Sequence, residues 1–384
     1  MNKVRIGIIG IGGMAGCHLG NMGATRNAQL TAVCDIVKEK ADKAAATHKC
    51  AAYYRHEDLL KAKVCDAVIV VTPHYGHTTI GIAALKAGYH VLVEKPISVH
   101  KADCERLIAA YTDKNLVFSA MFNQRTDPHY RKIKEMIARG DLGRLDRINW
   151  IITNWFRTES YYASGGWRAT WAGEGGGVLL NQCPHNLDLW QWMFGMPDRV
   201  RGFCKLGRKH HIEVEDEVTA YMEYSNGCTG VFITSTGEAP GTNRLEIAGE
   251  HGKLVYENGQ IHFTRNEVSA IEFLKTSKEG FASPAIWNIE IPTQGGYGGQ
   301  HAQILQNFVD AIVSGTPLMA PAVEGIHSVE LGNAMLFSSE LGKTVDLPLD
   351  GKAYEKMLKK KIKDSKFVKK TIKTAKMDLS KSVR

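Results

Sequence analysis

Three small residues near the start of the chain have the spacing of a phosphate cradle. Gly10, Gly12 and Ala15 in GIGGMA directly follow the apolar run VRIGII and open a stretch of helical pattern. In that setting Gly10 makes a tight turn, Gly12 lets backbone N–H groups reach a pyrophosphate, and Ala15 lets the helix pack closely on the sheet. Gly13 and Met14 complete the loop. The string alone means little in a chain with 38 glycines; its place between a first and a second apolar run gives it weight. The second run ends in Asp35, twenty residues past Ala15, where a carboxylate can accept hydrogen bonds from the ribose hydroxyls of an adenosine. A 2′-phosphate would be repelled there, and Ile36 rather than an arginine follows, so NAD is favoured over NADP. Lys38 nearby leaves dual use open, and a plain strand-end or helix-capping role is the alternative for Asp35.

A loop of this kind belongs at the carboxyl edge of a parallel sheet. Up to about Ala120 the runs VRIGII, LTAVCD, DAVIVVTP, HVLVE and NLVFSA alternate with helical patterns at residues 15–23, 37–48, 77–87 and 101–114. The runs are apolar on both faces, as buried parallel strands must be. Residues 1–123 are therefore a doubly wound, Rossmann-type α/β domain. From residue 124 the pattern changes to a helix at 127–139, the strand RINWIIT, a loop rich in Gly and Trp, a helix at 186–194 and three β-rich pieces. Turns at Asn226-Gly227 and Asn258-Gly259 make these an antiparallel meander. Helices at 301–313 and 323–341 complete an α+β domain at 124–346, and residues 347–384 form a basic C-terminal tail.

Glu94, Lys95 and Pro96 end the fourth run, with Thr72, Pro73 and His77 upstream and His18 just past the glycine loop. NQR follows at residues 123–125, and GGGVLLNQCPHNLDLWQWMFG at residues 175–195. This combination resembles the glucose-fructose oxidoreductase, inositol dehydrogenase and MocA family over roughly residues 1–345. The resemblance implies a nicotinamide-dependent enzyme acting on sugars, polyols or their glycosides. Its substrate would lie between the Rossmann domain and a large open, mostly antiparallel sheet, in a homodimer or homotetramer. It implies catalysis by the lysine of EKP and by a histidine early in a helix of the second domain, which are Lys95 and His185, and a cis bond before Pro96. On the cofactor side it points to Thr72, Pro73, His77, Glu94 and Asn123. The aspartate usual four residues before the histidine is here Asn181, which cannot take a proton and is read as a hydrogen-bonding group for a substrate hydroxyl or carbonyl.

The residue chemistry agrees. Oxidising a secondary alcohol needs a base for the hydroxyl proton while hydride leaves, and histidine has the side chain that titrates near neutrality. His185 is that base, with capping of its helix as the alternative. Lys95 holds the substrate oxygen as an ammonium or relays a proton, two roles the sequence leaves open. Asp188, one turn after His185, either orients it or touches a hydroxyl, or else pairs with an arginine. Sugar sites combine aromatic faces with polar groups, and residues 154–171 hold six aromatics with two arginines. Trp155, Arg157, Trp167 and Arg168 are the candidates for substrate contact, the other aromatics being core or subunit contact. Tyr297 and His301, both in GGYGGQH, are candidates for closing over the substrate, with a flexible hairpin end as the alternative. KHHIEVEDE holds His210, His211, Glu213, Glu215, Asp216 and Glu217 but alternates faces and lacks metal-ligand spacing, so no metal is expected. No GxSxG elbow or cysteine nucleophile context is present, which argues against a Ser or Cys hydrolase.

Composition bounds these readings. The chain has 384 residues, 44% hydrophobic and 23% charged, which excludes disorder and a disulfide miniprotein. No apolar run is long enough for a spanning helix, and the eight cysteines form no CxxC pair, consistent with reduced thiols in a cytoplasm. The net charge of +8 is local: residues 352–384 carry twelve lysines and one arginine against three acids, a net +10, which leaves the rest at −2. The body therefore has no electrostatic footprint for nucleic acid, and the tail reads as a solvated helical extension or packing arm. The leading reading is an NAD-dependent oxidoreductase that reversibly oxidises a secondary hydroxyl of a sugar, glycoside or polyol to a ketone. Its rivals are a redox-neutral, NAD-dependent glycoside-cleaving enzyme and a non-catalytic NAD-binding module with a polyanion-binding tail.

Overall fold

Strand β1 (Val4–Ile9) buries five of its six residues, the mark of a strand covered by helices on both faces. In the computed structural model, which describes residues 3–370, β1 lies inside a six-stranded parallel sheet. Its other strands are β2 (Ala28–Cys34), β3 (Ala51–Tyr53), β4 (Ala67–Val70), β5 (His90–Val93) and β6 (Phe118–Ala120), in the order β3-β2-β1-β4-β5-β6. The connecting helices are α1 (Ala15–Met22), α2 (Lys38–His48), α3 (His56–Ala62), α4 (His74–Lys86) and α5 (Lys101–Ala109). The strand order reverses between β1 and β4, which opens a crevice at the carboxyl ends of the strands.

The sequence reading missed β3 and α3, which are too short for a periodic signal; α3 buries only Leu59 and Leu60. Helix α4 begins at His74, three residues earlier than predicted, because Pro73 sets its first turn. Helix α5 stops at Ala109 instead of running to residue 114. There Asn115 N–H donates to Asp113 Oδ1 (2.9 Å) and the Tyr111 hydroxyl to Leu116 O (2.7 Å), closing a turn.

The second sheet has nine strands: β7 (Leu145–Ile152), β8 (Arg199–Leu206), β9 (Glu215–Glu223), β10 (Thr229–Ser235), β11 (Asn243–Gly249), β12 (Gly252–Glu257), β13 (Gln260–Asn266), β14 (Ile286–Ile291) and β15 (Val345–Asp346). Their order is β14-β13-β12-β11-β7-β10-β9-β8-β15, antiparallel except for the parallel pair β7–β10. Asn258 and Gly259, both at positive φ, turn β12 into β13 as the dipeptide predicts. Helices α6 (Pro128–Ala138), α7 (Glu159–Ala163), α8 (Pro184–Phe194), α9 (Ala270–Thr276), α10 (Gln300–Ser314), α11 (Gly325–Leu341) and α12 (Gly351–Asp364) complete the α-helices among the described residues, and 3-10 turns lie at Asn123–Thr126 and Ala322–Glu324. Helix α8 lies directly on one face of the sheet: a Cβ on Gly230 of β10 would meet the Trp190 ring at 2.6 Å.

The two hydrophobic cores do not follow chain order. Ile304, Leu305, Phe308 and Val309 of α10 pack into the first core, against the parallel sheet. The basic run at the C-terminus is not all solvated. Helix α12 buries Tyr354 and Leu358 in the second core while Lys352, Lys356, Lys359 and Lys360 stay outside, so this part is a packing arm. The last part of the predicted tail, residues 371–384, lies outside the described residues. No helix among the described residues is long and apolar enough to cross a membrane.

Candidate active site

The loops leaving β1, β4 and β5 meet at the carboxyl edge of the first sheet. Gly10 turns the chain out of β1 at φ 99°, and a Cβ there would lie 2.7 Å from the Val71 carbonyl, so only glycine fits. Ala15 is fully buried, and a Cβ on Gly12 would meet nothing within 4 Å. Among the described residues, the N–H groups of Gly12, Gly13 and Met14 have no acceptor. Asp35 receives Ile11 N–H on Oδ2 (2.7 Å) and Val37 N–H on Oδ1 (2.8 Å), tying the glycine loop to the start of α2. Each carboxylate oxygen keeps a lone pair for a ribose hydroxyl. Further along the edge, Thr72 Oγ1 and Asn123 Oδ1 are buried without a partner, and Asn123 Nδ2 donates to Gln300 Oε1 (2.5 Å). An open row of N–H donors ending in orphaned buried acceptors fits a dinucleotide. Bound there, NAD would be held by the glycine loop, Asp35, Thr72 and Asn123.

His77, predicted on the cofactor side, is 1% exposed, with its two ring nitrogens 2.7 Å from Thr72 O and Pro96 O. It staples the β4 loop to the β5 loop and has no edge left for a ligand. Glu94 is likewise internal: His18 Nε2 donates to its Oε1 (2.7 Å). Burial alone would raise the Glu94 carboxyl, but the bond and charge of His18, with His301 and Lys95 nearby, bring it down to about 2. His18 and His301 stand edge to face at 6.2 Å, so α1, β5 and α10 converge beneath the crevice.

Lys95 follows on the mouth side. Its bond to Pro96 is cis, as expected, and its ammonium donates to the backbone carbonyl of Asn181 (2.8 Å). Burial lowers its pKa, with Arg168 and Arg157 pushing the same way and Glu94 and Glu174 opposing. His185 is the second residue of α8 and makes no capping bond; Pro184 starts the helix. It is 9% exposed and its Nδ1 has no partner. Burial, then the positive charge of Lys95, holds it well below its ordinary pKa, so the ring is neutral and able to accept a proton.

The segment carrying Asn181 reaches this position because Gly177 lies against β9. A Cβ on Gly177 would lie 1.9 Å from Glu215 O, and Glu215 Oε1 accepts the N–H groups of Gly177 (2.8 Å) and Leu179 (3.2 Å). Burial pushes the Glu215 carboxyl up to about 7.

The aromatic loop divides. Arg168 Nη1 donates to the Tyr161 hydroxyl (3.0 Å), and its guanidinium lies over Trp167, whose ring meets His74 edge-on at 5.3 Å. Arg157 also lies over Tyr161, and both arginines act electrostatically on Lys95. Trp155 meets this cluster only through Arg157, whose guanidinium lies 5.6 Å over its ring. It is 7% exposed in the second core, with Nε1 donating to Asn186 Oδ1 (3.2 Å). Asp188 takes the arginine-pair alternative: it is 1% exposed and accepts two bonds from Arg125, at 2.6 and 2.7 Å. Tyr297 is exposed beside His129, whereas His301 acts electrostatically on His185. Sequence reasoning missed Glu174, 1% exposed behind Lys95, whose only signal was an acid directly before three glycines. Around KHHIEVEDE, His210 is paired with Asp216 (3.0 Å), and no cluster among the described residues is arranged to hold a metal ion.

Comparison with known proteins gives the same outline. Residues 4–122 match the family model described as an oxidoreductase family with NAD-binding Rossmann fold, and residues 130–255 match the GFO/IDH/MocA C-terminal domain. The chain is 27% identical to levoglucosan dehydrogenase of Pseudarthrobacter phenanthrenivorans over 73% of this chain and 80% of that protein. It is 24% identical to myo-inositol 2-dehydrogenase of Thermotoga maritima over 90% and 98% of the two chains. The crystal structure of the WlbA dehydrogenase of Chromobacterium violaceum, in complex with NADH and UDP-GlcNAcA, superposes with a TM-score of 0.78 at 26% identity, covering 91% of this chain and 97% of that one. The parallel sheet with its open glycine loop and the nine-stranded second sheet thus correspond to the two domains of one family, and the chain belongs to the GFO/IDH/MocA oxidoreductases, with an NAD-binding Rossmann domain.

Proposed function

We propose that this enzyme is an NAD-dependent dehydrogenase that reversibly oxidises a secondary hydroxyl of a sugar, glycoside or polyol to a ketone. The observation that carries the reading is the pairing, in one crevice, of the Lys95 ammonium with a neutral His185 imidazole that lacks a partner at Nδ1. His185 accepts the hydroxyl proton, and Lys95 holds the same oxygen and offsets its growing negative charge. The contribution of NAD when bound is hydride acceptance at its nicotinamide ring. Tyr161, Trp167 and Arg168 form the outer wall, offering aromatic faces and N–H donors to a ring with hydroxyls. The eight cysteines, all unpaired, support a reducing compartment such as the cytoplasm.

The test follows absorbance at 340 nm with NAD and then NADP across inositols, levoglucosan, aldoses, glycosides and UDP-linked sugar acids. NADH formation with at least one polyhydroxylated substrate, faster with NAD than NADP, is the expected result. Release of an aglycone from a glycoside with no net NADH would overturn the dehydrogenase reading in favour of a redox-neutral cycle.

We also propose that the chain works as a homo-oligomer through the outer face of the second sheet. Phe203, Ile233 and Ile151 fall in one row across β8, β10 and β7, beside Tyr221 and Val231 in the next. Phe203 and Tyr221 are 52% and 40% exposed, large rings to leave in solvent on a chain of 42.4 kDa, with Thr219, Arg201 and Asn149 completing the two rows. Light scattering on a sizing column should return a multiple of that mass, and Phe203→Glu should lower it; a monomer at micromolar concentration would refute the assignment.

A further inference from the structure

Behind Lys95 lies a buried carboxylate with no part in the chemistry described so far. Glu174 sits in the turn between the aromatic loop and Gly175. Its Oε2 accepts Ala169 N–H (2.6 Å), and its Oε1 accepts Asn181 Nδ2. The amide of Asn181 is fixed from its other end too, since its Oδ1 accepts the Tyr161 hydroxyl (3.1 Å) and Gln182 Nε2 (3.1 Å). The backbone carbonyl of the same residue receives the Lys95 ammonium at 2.8 Å. One residue thus joins the carboxylate to the ammonium. From the first domain, His74 Nδ1 donates to Glu174 O (3.2 Å), which anchors this turn at the start of α4.

We propose that Glu174 is the positioning residue for the Lys95 ammonium: through Asn181 it aims the carbonyl that Lys95 donates to, and its carboxylate is the counter-charge shared by Lys95 and Arg168. The charged and titratable groups facing it are Lys95 after β5, Arg168 and Tyr162 from the aromatic loop, Glu215 from β9, His74 from α4 and Lys369 from the C-terminal segment. Lys369 Nζ donates to the carbonyls of Gly165 (2.5 Å) and Arg168 (3.0 Å), which seats a third cation near the carboxylate. Burial raises the Glu174 carboxyl overall, while Arg168, the bonds from Ala169 and Asn181, and Lys95 pull it back toward its ionised form. Without that acid, Lys95 loses an opposing charge and the hold on its carbonyl acceptor together.

This proposal rests on the dehydrogenase reading for its kinetic consequence but not for its physical one, so the experiment reads both. Reductive ¹³C-methylation followed by NMR titration gives the pKa of Lys95, assigned by the resonance missing from Lys95→Arg. Glu174→Gln should lower that pKa by about one unit, the scale of losing a nearby opposite charge, and cut kcat about tenfold with KM changed less than threefold. In Glu174→Gln one amide oxygen remains for two donors, Ala169 N–H and Asn181 Nδ2, so one of them faces an NH2 instead. Adding Asn181→Asp exchanges the acid and the amide across the same hydrogen bond and should restore both the pKa and kcat to within about threefold, even if the single variant folds poorly. An unmoved Lys95 titration in folded Glu174→Gln, or no recovery in the exchanged pair, overturns the proposal. A shifted titration in an enzyme that oxidises nothing on the panel would leave Glu174 in its role and refute the dehydrogenase reading instead.

Discussion

Lys95→Met should leave a folded protein that still binds NAD but turns over about a thousandfold more slowly on whatever alcohol the wild-type enzyme accepts. The substitution removes the donor that holds the substrate oxygen, and one such donor or general acid contributes roughly 10² to 10⁴ in rate. Its chain is replaced by one of similar length, so the packing around the β5 loop persists. The change acts on His185 as well. Lys95 is a cationic neighbour that holds the imidazole below its ordinary pKa, so its removal lets that pKa rise and moves the acidic limb of the pH–rate profile to higher pH. The base then has to be deprotonated by a more alkaline medium before it can act. Stopped-flow measurement of NADH formation, with NAD affinity followed by protein fluorescence, separates chemistry from binding. A kcat within tenfold of wild type would remove Lys95 from the mechanism.

The second large effect is on stability. Asp188→Ala should destabilise the fold by about 3 to 5 kcal/mol, because it strands a buried guanidinium. Arg125 and Asp188 are each 1% exposed at the side chain, and the carboxylate accepts two parallel bonds, while Glu324 meets only the outer edge of Arg125. In a chain of this size the loss corresponds to a melting temperature lower by roughly 4 to 6 °C. Arg125→Met combined with Asp188→Leu should recover most of it, since an apolar pair of similar volume replaces a buried ion pair at little cost. Calorimetry on the single and double variants reads this directly. If Asp188→Ala melted with the wild type and only KM rose, Asp188 would be a substrate group and the ion pair would count for little.

The cofactor half of this enzyme is legible in the amino-acid sequence. Gly10, Gly12, Ala15 and Asp35 announce a dinucleotide loop because a tight turn, a close backbone approach and a strand-end carboxylate are each local demands, met within one strand, one turn and one helix. The parallel strands are legible for the same reason, since burial on both faces leaves an apolar run in the sequence. His185 is legible only through the family resemblance, since the residue pattern starts its helix at residue 186 whereas the helix begins at Pro184.

What only the tertiary structure decided is which side chains meet. Arg125 reaches Asp188 across 63 residues, Lys95 reaches Asn181 across 86, and Gln300 of α10 reaches Asn123 across 177. No period or spacing carries such contacts. Trp155 and Trp167 lie in the same aromatic loop, yet one is sealed in the core and the other faces His74, because the loop folds over the end of the sheet. Glu174 is invisible in the sequence as one acid in a glycine-rich stretch. It becomes part of the site only because Gly177 lets that stretch press against β9 and carry Asn181 up to Lys95. Local sequence sets what each segment can form; the burial of charge against charge depends on how distant segments pack, and the folded chain alone fixes that.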